Sequence, residues 1–133
     1  MSTTVEARPR TGLRRAATVL GAALAALAVW VLAVPVGGLD LAAAPIGGPV
    51  APVGPVAVAA GPLVSGLCGW ALLAVLERRT ARARRVWTVI AFIVLALSLV
   101  NPLVGGVGPA SVLTLVAMHL VTGAVLIPLL PRR

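Results

Sequence analysis

Apolar and polar positions do not alternate along this chain; they fall in blocks. Four blocks without a charged residue, 16–34, 56–76, 86–103 and 111–130, run 18 to 21 residues each. At about 1.5 Å of rise per residue, an α-helix of that length covers the roughly 30 Å hydrocarbon core of a bilayer. A helix also satisfies its backbone groups internally, which lipid demands of any spanning segment. The pattern predicts an all-α membrane protein, a four-transmembrane-helix bundle occupying 16–131. The third block is the shortest: fifteen residues precede Asn101-Pro102, so it reaches spanning length by taking in Leu103 or the turn at 81–85.

The connections differ in kind. Segment 35–55 holds prolines at 35, 45, 49, 52 and 55 and the pairs Gly37-Gly38 and Gly47-Gly48, a composition that denies regular helix or sheet. It is expected to be an irregular loop at the interface or packed on the bundle. Segment 77–85 is a short polar link. Asn101-Pro102 reads as a helix end, followed by a tight loop to 110 through Gly105-Gly106 and Gly108-Pro109. Gly61-Pro62 is expected to kink the second helix.

Composition removes the soluble alternative. The chain of 133 residues is 60% hydrophobic and 11% charged, with a mean hydropathy of +1.10; soluble domains are about 25% charged. Fourteen charged side chains cannot clothe so apolar a chain in water. The net charge of +8 would suggest nucleic acid on a soluble protein, but the basic residues cluster beside apolar blocks, so no nucleic-acid partner is expected. The partner implied is the lipid bilayer, with association to a second copy or another membrane protein left open.

All eleven basic residues are arginine: four in the basic tail 1–15, five in 77–85 and two at the end 132–133. In a four-span chain these segments share one side, and positive charge accumulates on the cytoplasmic side. The reading is N-in/C-in, multi-pass, in a bacterial cytoplasmic membrane, the alanine- and arginine-rich composition suggesting a GC-rich bacterial genome. A cleaved signal peptide ending near Leu32-Ala33-Val34 is the competing reading of the N-terminus, but nineteen apolar residues are long for a signal core.

Two offsets recur. Arg14-Arg15-x-x-Thr18-Val19 returns as Arg84-Arg85-x-x-Thr88-Val89, 70 residues on, and Gly54-Pro55, Gly69, Leu72, Leu76 and Arg78-Arg79 return 54 residues on as Gly108-Pro109, Gly123, Leu126, Leu130 and Arg132-Arg133. A duplication would make the bundle two tandem helical hairpins related in parallel; chance matching of alanine- and leucine-rich helices is the alternative.

Chemistry is sparse. Ala57, Gly61, Ser65 and Gly69 form a ridge of small side chains on the second helix, expected to let another helix approach closely. His119, the one histidine, falls near mid-membrane with Ser111, Leu115, Thr122 and Gly123 on its side, a stripe expected to face the interior. His119, Ser65 and Thr122 are the candidate intramembrane polar site, Ser65 being the counterpart of His119 in a duplication. An intramembrane ionisable group can mark a substrate or proton path; the plainer reading is an imidazole satisfied by a neighbouring helix. Asp40 lies in a loop, and Glu77 among arginines reads as a solvated ion pair worth little. Trp87 and Trp30 read as interface anchors, Trp70 as a packing residue. Cys68 has no second cysteine to pair with. Metal-ligand spacing, phosphate loops and nucleophile elbows are missing, so no metal, cofactor or catalytic residue is expected.

The segment from Gly66-Leu67-Cys68-Gly69-Trp70-Ala71-Leu72-Leu73 to Glu77, the run Leu97-Ser98-Leu99-Val100-Asn101-Pro102-Leu103, and Met118-His119-Leu120-Val121 with Ile127-Pro128 resemble an uncharacterised family of actinobacterial four-helix integral membrane proteins. The resemblance implies the fold and no activity. Small multidrug exporters carry a glutamate in their first helix and membrane quinone-linked thiol enzymes a cysteine pair; both are missing here. The expectation is a non-enzymatic protein acting by interaction or by binding or passage of an apolar small molecule. The alternative is a redox or transport component using His119.

Overall fold

In the computed structural model, which describes residues 7–132, helix α1 covers Ala7–Val31, beginning inside the basic tail rather than at 16. Pro9 falls in its first turn, where a missing N–H costs no hydrogen bond. Residues 1–6 and 133, the ends of the two terminal basic segments, lie outside the described residues. The helix widens into a π-turn, Leu32–Val36, around Pro35. It closes with Leu39 N–H donating to the Ala33 carbonyl and Gly38 N–H to that of Val34. Gly38 sits at φ +69°, the left-handed position that such a helix end favours glycine for.

Helix α2, Pro55–Arg79, and the last helix, α5, Pro109–Leu129, both start with proline in the first turn after a glycine cap, where proline's fixed φ suits helix initiation. Between them α3, Ala83–Ser98, and the short α4, Val100–Gly105, follow one another with a break at Leu99. Asn101-Pro102 does not end the third span as expected. Pro102 lies in the first turn of α4, so its missing N–H interrupts the ladder upstream while α4 continues. With α3 and α4 taken together, the described residues contain four helical segments long and apolar enough to cross a membrane, Arg10–Val36, Pro55–Arg79, Ala83–Gly105 and Gly108–Leu129.

The loop 35–55 is more ordered than its composition suggests. Strands β1, Ala42–Ala43, and β2, Ala51–Pro52, pair antiparallel across a turn whose third residue, Gly47, has φ +78° and whose Gly48 N–H reaches the Pro45 carbonyl at 2.8 Å. On its other edge β1 joins the second loop: Ala44 N–H donates to Gly105 O at 2.8 Å and Val107 N–H to Ala42 O at 3.1 Å. Backbone groups that proline and glycine withhold from helix are thereby paired between loops. Leu41, 3% exposed, plugs that end of the bundle.

The core has two centres. Toward the arginine-rich end, Val19, Ala22, Leu73, Trp87, Leu126 and Leu130 pack together; toward the loops, Ala26, Leu41, Val58, Leu115 and Met118 do so. Alanines 22, 23 and 26 give α1 a flat buried face, and a Cβ at Gly66 of α2 would meet Val19 at 2.9 Å. Small residues allow such close approach, the main source of helix association in lipid. Phe92, Leu113, Leu67 and Leu20 are exposed, an outward face suited to lipid rather than water.

The arginine-rich end is locked by Arg15, which is 4% exposed. Its guanidinium donates from Nη1 and Nη2 to the two carboxylate oxygens of Glu77, at 3.1 and 2.5 Å, and from Nε to the Leu130 carbonyl at 3.2 Å. Glu77 is therefore not in a solvated pair with its sequence neighbours. It is bound bidentately, in a contact that ties α1, α2 and the end of α5. Trp87 is likewise core, not an interface anchor: it is 5% exposed, and its indole N–H donates to the Ile127 carbonyl at 3.1 Å. That carbonyl's usual helical partner would be residue 131, a proline without an N–H. Arg15 and Trp87 thus satisfy carbonyls that the end of α5 leaves open. Trp30 donates to the Val53 carbonyl at 2.9 Å, pinning the long loop to α1.

The two hairpins share local detail but not their packing. Thr18 and Thr88 both donate to the carbonyl four residues back. Yet Arg15, Val19, Ala22 and Ala26 are buried on α1, while the positions 70 further on, Arg85, Val89, Phe92 and Ala96, are exposed. The first and third spans therefore turn different faces to the bundle.

Candidate intramembrane cavity

Helix α3 is held closely at its start, by buried Ala83 and Trp87, and has no further buried residue. Beyond Trp87 it still meets α5 through Leu95, 2.7 Å from where a Cβ on Gly123 would be, but its residues there are only half-buried or exposed. The space between these helices is a cavity of about 570 Å³, within the range that accommodates drug-sized ligands. Trp87 and Gly69 close one end: a Cβ on Gly69 would meet the indole ring at 2.7 Å. Leu115, Met118 and Ala26 form part of the inner wall. Among the lining residues, Ala57, Gly61, Ser65 and Cys68 of α2 and Val94 of α3 are exposed, so the cavity opens sideways, on the faces that lipid covers.

This places the small-residue ridge of α2. Gly69 meets Trp87, but Gly61 has nothing within 4 Å of where its Cβ would be, and Ser65 is exposed. The expected helix partner does not lie against Gly61 and Ser65; they form a wall of the cavity. The face of α2 that packs on α1 is instead the one carrying Val58, Pro62, Gly66 and Leu73, all buried, because Gly66 offers the close approach there. Small side chains on two faces of one helix thus serve two ends, contact with α1 and open space.

The other candidate residues line the same cavity. Ser65, His119 and Thr122 are all in its wall, with Cys68, Ser98 and the indole of Trp87 the remaining side chains that carry a polar group. On the His119 stripe Ser111, Leu115 and Gly123 are buried, while His119 and Thr122 are half-buried. His119 Nδ1 lies 2.8 Å from the Leu115 carbonyl. A carbonyl only accepts, so Nδ1 carries the proton, and in the neutral ring Nε2 is left as an acceptor. The Ser65 hydroxyl donates to the Gly61 carbonyl at 2.8 Å, and that of Ser98 to Leu95 at 2.7 Å.

No carboxylate and no arginine is among the lining residues: Asp40 is in the long loop, and Glu77 is held by Arg15. Chemically the arrangement can shelter an uncharged apolar molecule and offer it a few hydrogen bonds. Cys68 was legible as a lining residue from helical spacing, since it falls three residues after Ser65 and one before Gly69 on the ridge. Ser98 carried no such signal, because its place depends on how α3 is set against α2 and α5.

A model of a family of unknown function (DUF6069) matches residues 6–133, and the chain belongs to that family. No curated protein and no solved structure matches the chain.

Proposed function

We propose that this member of the DUF6069 family is a non-enzymatic integral membrane protein that binds an apolar small molecule in the cavity between α2, α3 and α5. The observation that carries the reading is the cavity itself: about 570 Å³, lined largely by aliphatic and small side chains, and open where lipid would lie. Ligand sites in proteins combine this apolar character with a few placed polar groups, here His119, Thr122 and Ser65. A redox or proton-transport role for His119 finds less support, because neither a carboxylate nor a second imidazole lines the cavity to continue a relay.

The arginine distribution supports an N-in/C-in orientation in a bacterial cytoplasmic membrane.

Gly61 provides the test. A Cβ added there meets no atom within 4 Å, so Gly61→Leu is expected to extend into the cavity without disturbing a helix contact. Wild-type protein extracted in mild detergent is expected to retain an apolar molecule detectable by native mass spectrometry and lipid extraction. Gly61→Leu is expected to lose it at unchanged thermal stability. Equal retention by both proteins would refute the cavity as the site.

A further inference from the structure

We infer that the ligand of this cavity is an uncharged apolar molecule with a hydroxyl head, held between His119 and Thr122. The inference rests on the reading of the cavity as a binding site and adds the chemistry of the ligand's polar end.

Two side chains, one helical turn apart on α5, carry it. The bond from His119 Nδ1 to the Leu115 carbonyl leaves Nε2 as an acceptor in the neutral ring, and this atom has no hydrogen-bond partner among the described residues. Thr122 departs from the habit of three other helical threonines. Thr18, Thr88 and Thr114 donate to the carbonyl four residues back, at 2.9, 2.9 and 2.8 Å, as threonine commonly does within helices. Thr122 makes no such bond among the described residues, which leaves its hydroxyl uncommitted, and Thr122 is one of the residues lining the cavity.

The wall therefore offers an acceptor beside a hydroxyl that can donate. Residues three apart on a helix are surface neighbours, roughly 5–6 Å between Cβ atoms, so one oxygen can serve both. A ligand hydroxyl donates to Nε2 and accepts from Thr122. A ketone, ether or ester can accept from Thr122 but leaves Nε2 unpaired. An ammonium group would find no carboxylate in the wall, and a carboxylate or phosphate no arginine, a steep cost for a charge in an apolar setting. The remaining lining is apolar, so the rest of the molecule is a long-chain or fused-ring hydrocarbon skeleton. Entry is lateral, from the bilayer past Gly61 and Ser65.

The probes are geranylgeraniol and its methyl ether, which share a skeleton and differ in the donor. Their affinities are measured for the full chain in lipid nanodiscs by tryptophan fluorescence, since Trp87 lines the cavity. The alcohol is expected to bind wild type about tenfold more tightly than the ether, the scale of one hydrogen bond whose loss leaves an acceptor unpaired. His119→Phe is expected to abolish that preference while still binding the ether, and Thr122→Val, close in shape, to weaken both probes while leaving the preference in place. Equal affinity of wild type for alcohol and ether overturns the hydroxyl inference and leaves apolar binding standing. Binding of neither probe by wild type overturns both readings.

Discussion

At the scale of single residues, the most consequential side chain is Arg15. Ten other arginines share its composition and charge, yet it is buried and makes three hydrogen bonds to two other helices. A bidentate guanidinium with a third donor left for a carbonyl is geometry that lysine cannot supply. Arg15→Leu would leave Glu77 without this partner and the Leu130 carbonyl open. The expected loss is on the order of 3 kcal/mol, as for other buried pairs broken from one side, read as a shift in SDS-induced unfolding. Because removing both charges is far cheaper than removing one, the double variant Arg15→Leu/Glu77→Leu is expected to be no less stable than either single variant. Strictly additive losses would show that the two groups act independently.

At the scale of elements, the question is what lets four apolar helices choose faces when lipid is as apolar as they are. Close approach decides it, and glycines are where it happens. Gly66 faces Val19 and Gly123 faces Leu95, at 2.9 and 2.7 Å from an added Cβ. Gly66→Leu is expected to push α1 off α2 and cost about 1–3 kcal/mol, the usual penalty of overpacking. Gly61→Leu on the same helix should cost little. Thermal melts of the two variants in one detergent make the comparison, and equal destabilisation would contradict the assignment of faces. The loops repeat the point in backbone terms. Prolines barred a long helix over 35–55, but they did not bar β1, which sits between Pro35 and Pro45 and pairs on both edges.

At the scale of the whole molecule, the bundle is asymmetric. Its first span is buried along one face, whereas its third is fixed at Ala83 and Trp87 and then leaves room for the cavity. The N-in/C-in orientation proposed for that bundle rests on arginine alone. A C-terminal green fluorescent protein fusion is expected to fluoresce, and a C-terminal alkaline phosphatase fusion to stay inactive. The opposite pair of results would reverse the N-in/C-in assignment.

Much of this protein was legible without coordinates. Four uncharged blocks of spanning length and arginine confined to three segments follow from the chain's hydropathy, because bilayer thickness and the need to pair backbone groups leave few alternatives. His119, Ser65 and Thr122 could be named as a candidate polar site within the spans. What lay beyond the sequence was how each helix is rotated and where its neighbours stand. Uniformly apolar helices have no wet face to set their rotation, so shape complementarity at Gly66, Gly69 and Gly123 and the Arg15–Glu77 pair decide it. Those contacts draw α1 against α2 and seat α3 through Trp87 and Leu95, leaving space between α2, α3 and α5. They also turn a ridge that read as a packing face into the wall of a cavity.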